Sequence, residues 1–150
     1  MFAPSRSQAR EFLFETWRKY RQAVPLAGLE TVALEVILAH PEYHRYLEDR
    51  EKYLERDFPP ELGATNPFLH LALHLALEEQ LSIDQPPGIA ARFAALVARE
   101  GSRHDALHAA MDCLAETIWR AQRDGAPPDA AVYLQCLEKR PPSRRKAFSA

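Results

Sequence analysis

Apolar residues in this chain recur every three to four positions and almost nowhere at every second position. That is the period of a helix with one buried side, not of a strand. A first stretch runs from Ser7 to about Val24, with Phe12, Leu13, Trp17 and Tyr20 on one stripe and Ser5 or Ser7 as cap. A second covers Leu29 to about Ala39, with Val32, Ala33, Val36 and Ile37 inward. Pro41 interrupts the pattern and pushes His40 away from helical dihedrals. The same proline suits the first position of a third helix, from Pro41 to about Leu54.

Residues 57–67 read as a loop. Asn66-Pro67 then combines a capping side chain with a proline at the first helical position, and the helix it starts extends to about Leu81. Asp84-Gln-Pro-Pro-Gly88 reads as a rigid turn. Ile89 to about Glu100 follows, with Phe93, Leu96 and Val97 inward and Gly101 as its stop. Ser102 can cap the next helix, Arg103 to about Arg123, which ends at Gly125. After Pro127-Pro128 a last helix reaches about Glu138. The expected fold is all-α, a single-domain antiparallel bundle of about five to seven helices over residues 1–139. Residues 140–150 are expected to be a basic, disordered tail.

Composition narrows the function classes. The 150 residues are 47% hydrophobic with a formal net charge of −2, so no global field attracts nucleic acid or an anionic membrane. Basic residues gather only in Lys139–Arg140 and Arg144–Arg145–Lys146, read as a solvated terminus rather than a nucleic-acid arm. The segment MFAPSRSQAREFLFETW has no apolar run of signal-peptide length. The run from Phe68 to Leu77 is broken by His70 and His74 and is too short to span a bilayer. A cytoplasmic protein without membrane contact is expected. The two cysteines, Cys113 and Cys136, form no paired motif, and their amphipathic surroundings favour buried free thiols over a disulfide.

The candidate chemistry lies in the histidines. All six fall in pairs four apart: His40/His44, His70/His74 and His104/His108. Two pairs continue in step to a carboxylate, Glu78 and Asp112. On a helix such residues share one face. Imidazoles and carboxylates on facing helices are the usual material of a metal site in a bundle. The proposed ligands are His70, His74, Glu78, His104, His108 and Asp112, with His40 and Glu116 second in rank and Glu79 a nearby substitute. Because Pro41 separates His40 from His44, at most one of them is expected to join. Nitrogen and oxygen donors with bridging carboxylates point to a divalent metal ion, iron ahead of zinc or manganese, in a site for two ions or for one ion with an outer shell, the dinuclear form favoured, with oxygen, redox or hydrolytic chemistry.

Other chemistries find no support. Residues 71–73 are Leu-Ala-Leu, so the glutamate of helical zinc proteases is missing from its position. No nucleophile elbow or glycine-rich phosphate loop is present. No catalytic residue is assigned, and the substrate, a small molecule or a protein partner, is left open together with the oligomeric state. The competing expectation is a non-enzymatic interaction module with a metal-free network of histidines and carboxylates.

At HPEYH (40–44), NPFLHLALHLALEEQ (66–80) and HDALHAAMDCLAETIW (104–119) the chain resembles an uncharacterised bacterial family, domain of unknown function eighteen forty-one. The resemblance extends from the start to near Leu137, is most specific at NPFLH, and implies a soluble bacterial protein without implying an activity. In site logic alone the chain is similar to hemerythrin and DinB-type metal bundles. It lacks hemerythrin's late His–Asp spacing, so no ligand order carries over.

Overall fold

The helical period is realised in the computed structural model, which describes residues 6–58 and 66–141. Most of the expected loop 57–67 and of the expected tail 140–150 lies outside the described residues. The elements are α1 (Arg6–Arg21), α2 (Leu29–Leu38), a 3-10 turn (Pro41–Tyr43), α3 (His44–Leu47), α4 (Arg50–Tyr53), α5 (Pro67–Ile83), α6 (Ile89–Glu100), α7 (Arg103–Asp124) and α8 (Ala130–Lys139). No strand occurs among the described residues.

Local signals set most helix ends. The Asn66 side-chain oxygen accepts from the amides of Phe68 and Leu69, both at 3.1 Å. Ser102 Oγ accepts from Asp105 N at 3.1 Å, and Asp129 caps α8 through Ala131 N and Val132 N. Gly101 and Gly125 stop α6 and α7 at φ of 86° and 62°, a left-handed conformation that glycine adopts without steric cost.

The continuous helix expected over 41–54 is not formed, which lifts the helix number above five to seven. Asp49 leaves the helical region at φ −131° and ψ 76°, and its carboxylate accepts from Lys52 N. That hydrogen bond begins α4 as a separate turn, because an aspartate at this point satisfies a first-turn amide better than it continues a helix.

Contacts gather into two compact units, residues 1–75 and 76–150. In the first, Leu13, Phe14 and Trp17 of α1, Val36 and Ile37 of α2, Leu47 of α3, and Phe68 and Leu71 of α5 form one buried cluster. Tyr20, expected on the buried stripe, is exposed at the end of α1. Arg10 is buried beside this cluster. Its guanidinium donates to the carbonyls of Tyr53, Leu54 and Arg56 at 2.9, 3.1 and 2.7 Å. It also lies 4.7 Å from the centre of the Phe68 ring. One side chain thereby supplies donors to three carbonyls at and just beyond the end of α4. Burial, then the nearby Arg6, lowers the pKa of Arg10 from its ordinary value.

In the second unit α6, α7 and α8 pack against one another. Buried residues include Ile89, Phe93 and Leu96 of α6, Ala110, Met111 and Leu114 of α7, and Tyr133 and Leu137 of α8. Here the expectation of free thiols is corrected: Cys113 and Cys136 form a disulfide. Packing of α7 on α8 brings their Cα atoms to 5.8 Å, within bonding geometry for cysteine. The 23-residue separation conceals this relation from any local reading.

Candidate metal centre

Three histidines meet in the first unit. His70 and His74 lie one turn apart on α5, and their ring centres are 4.9 Å apart, edge to face. His40 stands between α2 and the 3-10 turn at φ −126° and ψ 65°. Its ring centre is 5.0 Å from that of His70 and 4.6 Å from that of His74. One possible ligand atom from each of the three lies within 4.8 Å of the others. His40 and His74 are buried, at 6% and 4% exposure, so water is largely kept from their rings.

The His40 ring is held by its backbone. Its Nδ1 lies 2.8 Å from the carbonyl oxygen of Val36, one turn back. A carbonyl only accepts, so Nδ1 is the donor in this bond. Histidines that ligate metals are commonly oriented this way, with the second nitrogen donating to a carbonyl. Tyr43 stacks on His40 with ring centres 5.5 Å apart and planes 1° from parallel, and meets His70 edge-on at 5.7 Å. Burial raises the pKa of the Tyr43 phenol, which stays neutral beside the imidazoles.

The other expected ligands are placed differently. His44 donates from Nε2 to the Ile37 carbonyl at 2.9 Å, and its ring packs on Trp17 at 4.4 Å. In the second unit His104 is exposed, and its ring meets the half-buried His108 edge-on at 4.4 Å. Both carboxylate oxygens of Glu78 accept from Arg103, at 2.9 and 3.0 Å. Asp112 pairs with Arg140 at 2.6 Å, and Glu116 with Arg120 at 3.0 Å. Glu79 is exposed on α5.

Helical register thus brings His70 and His74 onto one face, while the carboxylates one turn further along each helix are occupied by arginines. Tyr43 escaped the sequence reading. Its signal was an aromatic residue two positions after the proline that orients His40.

Fold and cluster together define an all-helical protein with buried imidazoles gathered at a helix junction. Residues 5–139 match the family described as Domain of unknown function (DUF1841), and the chain belongs to that family. No curated protein and no solved structure matches it. No helix among the described residues is long and apolar enough to cross a membrane.

Proposed function

We propose that this is a metal-binding protein in which His40, His70 and His74 hold one divalent transition-metal ion. The observation that carries the reading is the convergence of three imidazoles, one of them already oriented by a carbonyl. Imidazole nitrogen is a preferred ligand of zinc, copper, iron and nickel. Nitrogens bonded to a tetrahedral ion at about 2.1 Å lie about 3.4 Å apart, so loading draws the rings inward.

The dinuclear iron centre expected from the sequence needs carboxylates to bridge two ions. Glu78 and Asp112 instead neutralise Arg103 and Arg140, which favours a single ion. A nitrogen-only ligand set also moves the preference from iron to zinc. Three imidazoles leave the fourth position of a tetrahedral ion open to water or a small molecule, as in catalytic zinc sites.

Metal analysis of untagged protein after reconstitution with zinc or cobalt tests the reading. One ion per chain is expected, with a raised melting temperature. His74→Ala abolishes binding, and His44→Ala leaves it intact. Substoichiometric metal with unchanged melting temperature overturns the proposal. In that case the competing reading stands, a metal-free network of imidazoles and Tyr43 serving an interaction module. It requires His74→Ala to cost the same stability with and without metal.

A further inference from the structure

Away from the histidines, the second unit carries an open groove of about 700 Å³ along α7 and α8, large enough for a tripeptide-sized ligand. The Cys113–Cys136 disulfide joins these two helices. Its two sulfurs differ in access: Cys113 is fully buried, while Cys136 is half-buried and lines the groove. A nucleophile entering the groove therefore meets Cys136.

The charges of the groove select among thiols. Arg120, Lys139 and Arg140 line it together with Asp112 and Glu116, leaving one net positive charge. The two arginines pair with the two carboxylates, and Lys139 lies three residues after Cys136 on the same helix. Positive charge near the reacting sulfur gathers anions and stabilises an incoming thiolate. Trp119, 57% exposed on the groove wall, adds an apolar surface for the remainder of the ligand.

We propose that this groove is a thiol-exchange site for a small anionic thiol of the glutathione type, with Cys136 as the sulfur attacked. The thiolate forms a new sulfur–sulfur bond to Cys136. The Cys113–Cys136 bond breaks, its electron pair goes to Cys113, and Cys113 takes up a proton. A second thiolate then attacks the ligand's sulfur in the mixed disulfide and releases Cys136, which is protonated in turn. Two small thiols are oxidised to one disulfide, and the protein's disulfide is reduced to two thiols. The buried Cys113 thiol is accommodated after reduction, since a free cysteine behaves as a small apolar side chain. The site is independent of the histidine cluster.

The test exposes folded full-length protein to reduced glutathione, traps thiols by alkylation and maps them by mass spectrometry. A mixed disulfide on Cys136 is expected, formed faster than with cysteamine, a cationic thiol, at equal thiolate concentration. Lys139→Glu should lower the glutathione rate about threefold or more, with the melting temperature unchanged. In the Cys113→Ala variant the free Cys136 thiolate should attack oxidised glutathione, form the mixed disulfide and release one glutathione thiolate; should that variant fail to fold, trapping in the unmodified protein decides the matter. A disulfide that opens only in denaturant, an adduct on Cys113, or equal rates for the two thiols overturns the proposal.

Discussion

His40 donates its Nδ1 proton to the carbonyl of Val36, 2.8 Å away and one turn earlier in the chain. Pro41 sits behind this arrangement, since it keeps His40 out of the helical region, at φ −126° and ψ 65°. A residue placed there ends α2 while its ring still reaches back to that helix. The ring is thereby oriented before any metal arrives.

Replacing Pro41 with alanine removes that restriction without touching an imidazole. The expected outcome is metal affinity lowered about tenfold with the ion still bound, as for loss of an orienting partner. Isothermal titration with zinc measures it, and an unchanged affinity would show that the proline plays no part in orienting the ring.

Glu78→Gln and Asp112→Asn separate the single-ion reading from one in which carboxylates are ligands. Both variants lose an ion pair with an arginine and should keep one zinc per chain at near wild-type affinity. The Arg140–Asp112 pair is well exposed on its acidic side, so Asp112→Asn should cost well under about 1 kcal/mol. Loss of metal from either variant would restore the carboxylates as ligands.

Arg10 offers a test of the first unit that does not involve the histidines. Arg10→Met leaves the carbonyls of Tyr53, Leu54 and Arg56 without this donor and should cost about 2–3 kcal/mol in urea unfolding. Arg10→Lys should recover only part of that loss, because an ammonium cannot reproduce the planar fork that reaches several carbonyls at once.

The disulfide closes a loop between residues 23 apart, for which the chain-entropy model gives about 3 kcal/mol of stabilisation. The Cys113→Ala/Cys136→Ala double variant should therefore lower the melting temperature of the second unit. Calorimetry compared with the oxidised protein checks this, and an unchanged transition would show that packing of α7 on α8 suffices alone.

Tyr133 predicts an alkaline limit to stability. Its buried phenol donates to Gln80 Oε1 at 2.7 Å, and burial raises its pKa well above the ordinary value of 10.0. The folded protein holds the proton more tightly than the unfolded chain does. The contribution is therefore complete below about pH 10 and is lost as pH rises from there through the folded-state pKa. Tyr133→Phe should show a shallower loss of stability above pH 10, followed by urea midpoints across alkaline pH.

Helix positions were readable from residues close in sequence. Asn66 and Pro67 start α5, and Gly101 and Gly125 end α6 and α7, because capping and left-handed termination act within one turn. The shared face of His70 and His74 is equally local, a consequence of 3.6 residues per turn. Asp49 shows the limit even at short range. Its competition for the Lys52 amide divided a helix that apolar spacing alone would have continued.

The choice of partners was different in kind. Glu78 stands in register with His70 and His74, yet its oxygens are taken by Arg103, 25 residues on. Cys113 meets Cys136 only because α7 packs on α8. His40 reaches the imidazoles of α5 only because α2 ends where that helix passes. Backbone conformation follows from neighbours in the chain, so periodicity and capping residues were enough to establish an all-helical protein with histidines in register. Which side chains meet depends on how distant segments bury their apolar faces, and that packing selected His40 and turned the carboxylates to arginine.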